Sequence, residues 1–403
     1  MTLPLEGVRV VDFGWVWAGA VPGQLLADLG AEVIKIESHK RLDFMRRGRP
    51  IIGDKLDPEQ NHMFHNVNRG KLGLTVDLND PRGADLVRRL VARSDAAIEN
   101  FAPGYLSRVG LDYAALREVN PSLVMISMSA AGGDGPLRDV RGYATIMAAL
   151  AGIDYLVGYP GERPLGSQQA YADPNASLHA AVALMAALVH RQRTGEGQHI
   201  DLSQWETTIV TVAEAVMDYV MNGRVAAPQG NRYAGLAPCG NYPCRDADSW
   251  VSIAVGDEAQ WAALVAAMGS PEWALGPEFR TAAGRLENLF ALDRHLAAWT
   301  RGFGSAELVE RLTRHGVPAA PLMDHEARYF DPHYRERETY VEIDHPILGR
   351  EVVYNVPWRM NDVPRRITRR APFLGEHNDY VCKEILGLTD EEVARLVAEE
   401  VLR

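Results

Sequence analysis

The sequence predicts an open α/β sheet domain followed by a smaller α+β unit, and three observations lead there. Short β-branched strands alternate with helix-length segments as far as residue 130, the pattern of a parallel sheet with helices on its faces. Two helix starts carry an acid followed by proline, Asp80-Pro81 and Asp173-Pro174, a junction suited to a helix N-terminus. A chain of 403 residues also exceeds what one ordinary hydrophobic core organises, so two domains are expected.

Taken in order, Val8 to Phe13 is the first strand, Gly14 to Gly19 turns the chain, Pro22 to Leu29 is helical and Glu32 to Glu37 is the second strand. A βαβ opening implies parallel pairing and a Rossmann-like sheet. Gly14-Trp-Val-Trp-Ala-Gly19 is not the G-x-G-x-x-G fingerprint, so a dinucleotide site with Glu37 on the ribose is not favoured. A basic cluster follows: His39, Lys40, Arg41, Arg46, Arg47 and Arg49. Arginine forks match phosphate and carboxylate geometry, so the cluster reads as an anion clamp. Residues 66–77 form a basic turn and a strand, and a helix covers about 81 to 93. Ala96 to Phe101 is a strand broken by Ala102-Pro-Gly104; a helix carrying Tyr105 and Arg108 precedes the most apolar strand, Leu123 to Ser129. Ligands bind past the carboxyl ends of such strands, which places Trp15, Trp17, the basic cluster, Asn100 and Tyr143 at one rim.

Ala170 to Ala180 is a loop running into a buried helix. Asp173 at the junction has two readings: an N-cap with Pro174 in the first helical position, or a carboxylate nucleophile at the helix mouth. His179, roughly two turns further on, reads as a packing residue. Beyond lie a turn and strand (195–203), a long helix (204–222), a Gly-, Pro- and Ala-rich linker (223–240), a hairpin-like stretch, helices to about 315, a strand-like 340–355 and a charged terminal helix. The expected organisation is a large α/β domain (1–222), a small α+β domain (241–330) and a segment (331–403) returning to the large domain.

A net charge of -11 argues against general affinity for nucleic acid or anionic membrane. No apolar run reads as a membrane span, and the first residues lack a signal-peptide pattern. The 3 cysteines make no disulfide framework, and Cys239 and Cys244 lack a second pair for zinc. The expectation is a cytoplasmic protein with reduced thiols and no metal site.

Six stretches together resemble the type III CoA-transferases, the formyl-CoA and carnitine CoA-transferase family. They are Leu5–Phe13, Leu29–Glu37, Glu99–Gly104, Ala172–Ser177, Thr194–Gln198 and Ala371–His377. The resemblance implies that Asp173 is the catalytic nucleophile, passing through an aspartyl–acyl anhydride and an aspartyl–CoA thioester. It implies no tightly bound cofactor, with coenzyme A or acyl-CoA as substrate, an acyl-CoA donor and a carboxylic acid acceptor. Carried over position by position, Val16, Trp17, Asn100, Phe101, Arg108, Arg141 and Tyr143 are the expected CoA contacts. Where formyl-CoA transferase has an arginine this chain has Ser38, which shifts phosphate binding to His39, Lys40 or Arg41. The family's glycine-rich loop has no clear counterpart beyond Gly235 to Gly240. An interlocked homodimer, with active sites at the domain interface, is implied too. The racemase branch of the superfamily needs a histidine–aspartate pair, and no histidine lies between His65 and His179. A non-catalytic CoA-binding protein would not need Asp173. Arg46 and Arg47 suit a second substrate carboxylate, whereas Trp15 and Trp17 suit an aromatic acyl group.

Overall fold

The computed structural model describes residues 3–49, 51–52, 56–363, 367 and 369–402. It divides into two compact units, Met1–Asp154, Gly166–Val225 and His333–Arg403 forming the first, Tyr155–Leu165 and Ala226–Pro332 the second. Residues 155–165 thus belong to the second unit, outside the bounds expected for it.

The first unit is built on six parallel strands: β1 (Arg9–Asp12), β2 (Glu32–Glu37), β3 (Leu72–Thr75), β4 (Ala96–Glu99), β5 (Val124–Ser129) and β6 (Gln198–Ser203). Their order is β3-β2-β1-β4-β5-β6. The helices that follow them are α1 (Val16–Asp28), α2 (His62–Asn68), α3 (Pro81–Val91), α4 (Tyr105–Arg108), α5 (Tyr113–Val119), α6 (Ala144–Leu150), α7 (Ile153–Leu156) and α8 (Ala172–Thr194). Side chains alternate across a strand, and both faces here are apolar. Val10, Val33, Ile98 and Val124 pack with Leu26 of α1 and with Ala176, Ala180 and Leu184 of α8. Val11, Ile34, Ala97 and Met125 pack on the other face with Val87, Leu90 and Leu116, and with Val393 and Leu396 near the C-terminus. Strand order reverses between β1 and β4, the point where open α/β sheets bind ligands.

Three expectations about helices are corrected. Helix α1 begins at Val16, not Pro22, and carries Pro22 inside it. Proline has no N–H, so the carbonyl of Ala18 loses its helical partner; it accepts instead from Ser177 Oγ at 3.2 Å. Helix α8 begins at Ala172, so Asp173 lies inside the first turn and is not the N-cap. Tyr171 already has helical dihedrals and occupies the cap position, without a side-chain hydrogen bond. The long helix expected over 204–222 is interrupted: α9 (Gln204–Ile209) passes through a 3₁₀ turn into α10 (Ala213–Asn222). Thr207 and Thr208 both donate to the carbonyl of Gln204, and Thr211 donates to that of Thr208; such back-bonding competes with regular helix geometry.

By length and composition alone, the 23 residues of helix α8 would suffice to cross a membrane. Its inward face, however, packs on the sheet and on α1.

The second unit holds an antiparallel three-stranded sheet, β7 (Cys239–Pro243), β8 (Trp250–Ala254) and β9 (Ala319–Pro321), in that order. It covers a separate core that includes Val251, Ile253, Leu264, Leu292, Leu296 and Leu308. A hairpin, β10 (Tyr340–His345) with β11 (Gly349–Tyr354), belongs to the first unit.

Candidate active site

The turn after β1 is held by a buried polar network. Gly14 approaches the backbone so closely that a Cβ there would meet the Gly19 carbonyl oxygen at 2.0 Å. The Gly14 amide donates to Asp12 Oδ1 at 2.7 Å, and Lys35 Nζ donates to the Gly14 carbonyl at 2.6 Å. Lys71 Nζ bonds Asp12 Oδ2 at 2.6 Å, the Ala20 carbonyl at 2.7 Å and Asn68 Oδ1 at 2.9 Å. Burial pushes the Lys71 ammonium down to about 8, with Asp12 opposing the shift. Asn100, after β4, closes the strand-order reversal. Its Oδ1 accepts from the Trp15 amide at 2.8 Å and its Nδ2 donates to the Trp15 carbonyl at 2.9 Å. Val16 has φ of 57°, a left-handed conformation that β-branched residues rarely adopt. Its amide donates to both carboxylate oxygens of Asp43, at 3.1 and 3.3 Å.

This turn walls a cleft of about 530 Å³. Asp173 lines it together with Val16, Arg41, Asn100, Phe101, Arg141 and Tyr143. Burial alone raises the Asp173 carboxyl from 3.8 to about 6, as expected for a carboxylate short of water and without a compensating partner among the described residues. The Ser177 hydroxyl is shared between the carbonyls of Asp173, at 2.8 Å, and Ala18. It thereby ties the turn that carries Asp173 to the first turn of α1. Arg41 stacks over the Trp15 ring, 4.9 Å from its centroid. Arg41 and Arg141 are exposed in the cleft.

The remaining expected contacts lie elsewhere. Trp17 packs against the cluster of Ala20, Met45, Phe64 and Val67. His39 is exposed, Lys40 pairs with Asp77 at 2.8 Å, and Arg108 sits 5.5 Å from the Tyr105 ring centroid. Arg46 is the clearest correction to the anion clamp. It is 0% exposed and forks onto Glu37 with two bonds of 2.8 Å. Glu59 at 3.0 Å, the Pro372 carbonyl at 3.0 Å, the Pro58 carbonyl at 3.2 Å and the face of Phe64 also surround it. Glu37 is therefore occupied by Arg46, and neither side chain is free for a ligand. Sequence reading missed Asp43, Ser177 and Ser129. The buried Ser129 hydroxyl lines the cleft without a hydrogen-bond partner among the described residues. Its only signal was its place at the end of an apolar strand.

His65, His345 and Glu351 form a buried group of metal-ligating type. His65 Nδ1 lies 2.6 Å from Glu351 Oε1 and Nε2 lies 3.1 Å from the Glu59 carbonyl, so both ring nitrogens are already engaged. His345 Nδ1 accepts from the amides of Ile347 and Leu348; the ring proton then resides on Nε2, which removes that atom as a ligand. The donor set fits a hydrogen-bonded cluster better than a metal.

The sequence pattern of CoA-transferase family III matches residues 5–378. The chain belongs to that family. Succinyl-CoA–D-citramalate CoA-transferase of Chloroflexus aurantiacus is 35% identical over 399 residues, covering 99% of this chain and 98% of the relative. Succinate–glutarate CoA-transferase of Agrobacterium fabrum is 33% identical, with 95% and 96% covered. Among solved structures, a CAIB/BAIF family protein from Brucella suis superposes with a TM-score of 0.86 at 33% identity, over 96% of this chain and 100% of that one. The protein is a CoA-transferase, with CoA thioesters as substrates.

Proposed function

We propose that this CoA-transferase moves CoA between dicarboxylic acids through covalent intermediates on Asp173. One observation supports the nucleophile above all: a carboxyl in a cleft, raised to about 6 by burial alone, without a charged partner among the described residues to blunt it. Above that pH it is an anion short of solvent, which favours attack on a carbonyl. The Asp173 carboxylate adds to the donor thioester carbonyl and expels CoA thiolate, leaving a mixed anhydride. The thiolate then attacks the aspartyl carbonyl, releasing the donor acid and leaving an aspartyl–CoA thioester. The acceptor carboxylate attacks that thioester, giving a second anhydride and CoA thiolate. Attack of the thiolate on the acceptor acyl carbonyl yields the new acyl-CoA and restores Asp173.

Dicarboxylates suit the cleft because two exposed guanidiniums, Arg41 and Arg141, line it with Asp173; a fork pairs well with a distal carboxylate. The names of both relatives point the same way, since succinate, citramalate and glutarate are all dicarboxylates. Val16, Phe101 and Tyr143 are proposed to contact the pantetheine arm, and His39, Lys40 and Arg108 the phosphates. The proposed partner is a second copy of this chain, forming an interlocked dimer. Leu178, Val182 and Val189 of α8 and Val216, Tyr219, Val220 and Met221 of α10 are exposed, more apolar side chain than a monomer normally shows to water. The free thiols of Cys239, Cys244 and Cys382 accord with a cytoplasmic location.

The test is a mass-spectrometric screen of acyl-CoA donors against carboxylic acids. CoA passing from succinyl-CoA to other dicarboxylates supports the proposal. Transfer confined to monocarboxylates overturns the substrate class, and absence of any transfer overturns the reaction.

A further inference from the structure

We propose that Asp43 is a positioning residue for the transfer reaction, holding the cleft wall in the conformation that aligns Asp173. The inference rests on Asp173 being the nucleophile.

Asp43 is 0% exposed and caps a 3₁₀ turn, Phe44–Arg46, by accepting from the Met45 amide at 3.0 Å. Capping does not require it to reach back to the turn after β1, yet both its oxygens receive the Val16 amide. Lys35 Nζ lies 3.4 Å from its Oδ2 and also bonds the Gly14 carbonyl. The carboxylate and the ammonium thus grip the two sides of one turn. The residue they grip is the strained one. Val16 is β-branched at φ of 57°, and such strain persists where the surroundings over-determine it and clusters at functional sites. Burial pushes the Asp43 carboxyl upward, an effect that Lys35 and the Val16 and Met45 amides oppose.

The grip reaches the nucleophile in two links. Val16 opens α1, and Ala18 in its first turn has a carbonyl left free by Pro22. That carbonyl receives the Ser177 hydroxyl, which is shared with the carbonyl of Asp173. Val16 itself lines the cleft beside Asp173. A turn that relaxed to negative φ would swing the start of α1 and alter both the wall and the tether of the Asp173 turn.

Three variants and two readouts test this. Asp43→Ala is expected to speed hydrogen–deuterium exchange in residues 14–20 and to lower kcat at least tenfold per folded molecule. Glycine adopts positive φ without strain, so adding Val16→Gly to Asp43→Ala is expected to restore kcat at least threefold. Asp43→Asn keeps an acceptor for the Val16 amide and is expected to remain the most active of the single variants at this position. A merely structural role lowers the melting temperature but leaves kcat of the folded enzyme unchanged, or leaves it unrestored by the glycine; either result overturns the proposal. Exchange in 14–20 that does not respond to Asp43→Ala overturns it too, whatever the activity. If the wild-type enzyme transfers CoA without modification of Asp173, the nucleophile assignment fails instead, and the exchange data still report on the turn.

Discussion

Asn100 and Trp15 exchange two hydrogen bonds across the strand-order reversal, one from the Trp15 amide to Oδ1 and one from Nδ2 to the Trp15 carbonyl. The side-chain amide is therefore committed to shaping the protein. Asn100→Asp retains the acceptor but sets a carboxylate oxygen against the Trp15 carbonyl. The expected loss is about 1–3 kcal/mol of stability, read by urea melts, with a lower kcat/KM. Gly19→Ala is expected to behave alike, because a Cβ there would lie 2.3 Å from Asn100 Oδ1.

Arg46 is expected to matter for folding and not for substrate choice. Replacing it with Met leaves Glu37, 4% exposed, without its fork partner. Breaking a buried pair on one side costs about 3–5 kcal/mol. Denaturant melts of Arg46→Met should show that loss, while the ranking of dicarboxylate substrates stays as in the wild type. Arg141→Ala should do the reverse, keeping stability and raising KM for dicarboxylates more than for monocarboxylates of equal length.

Asp173 links activity to stability through pH. Its folded-state value of about 6 lies above its ordinary 3.8. Ionising it is thus harder in the folded protein, and stability declines as pH rises from about 4 through 6. The displacement corresponds to about 3 kcal/mol. Asp173→Asn is therefore expected to stabilise the protein by about 3 kcal/mol at pH 8 and to change little near pH 3, as measured by paired thermal melts. Because the proposed nucleophile must be ionised, kcat/KM of the wild type should rise with pH through an inflection near 6.

Much of the first unit was legible in the chain. The strands at Glu32–Glu37 and Val124–Ser129, and the Asp80 cap with Pro81 behind it, follow from β-branched runs and cap chemistry. The start of α1 was not legible, because a left-handed valine and an internal proline are tolerated only where Asp43, Asn100 and Ser177 hold them. Local pattern carries no trace of partners so far away. The basic cluster was misread at Arg46 for the same reason. Composition shows five cations and a histidine together, but only the fold shows that Arg46 faces Glu37 and that Arg41 reaches the cleft. The junction singled out Asp173 as either a cap or a nucleophile, and the cap geometry is absent.

The most direct test of the account traps the nucleophile. Enzyme mixed with succinyl-CoA is reduced with borohydride, digested and mapped by mass spectrometry. Conversion of Asp173 to homoserine, dependent on the CoA thioester and absent from Asp173→Ala, is the result the account predicts. Turnover with Asp173 unmodified, or with the reduced residue found at another carboxylate, would contradict it.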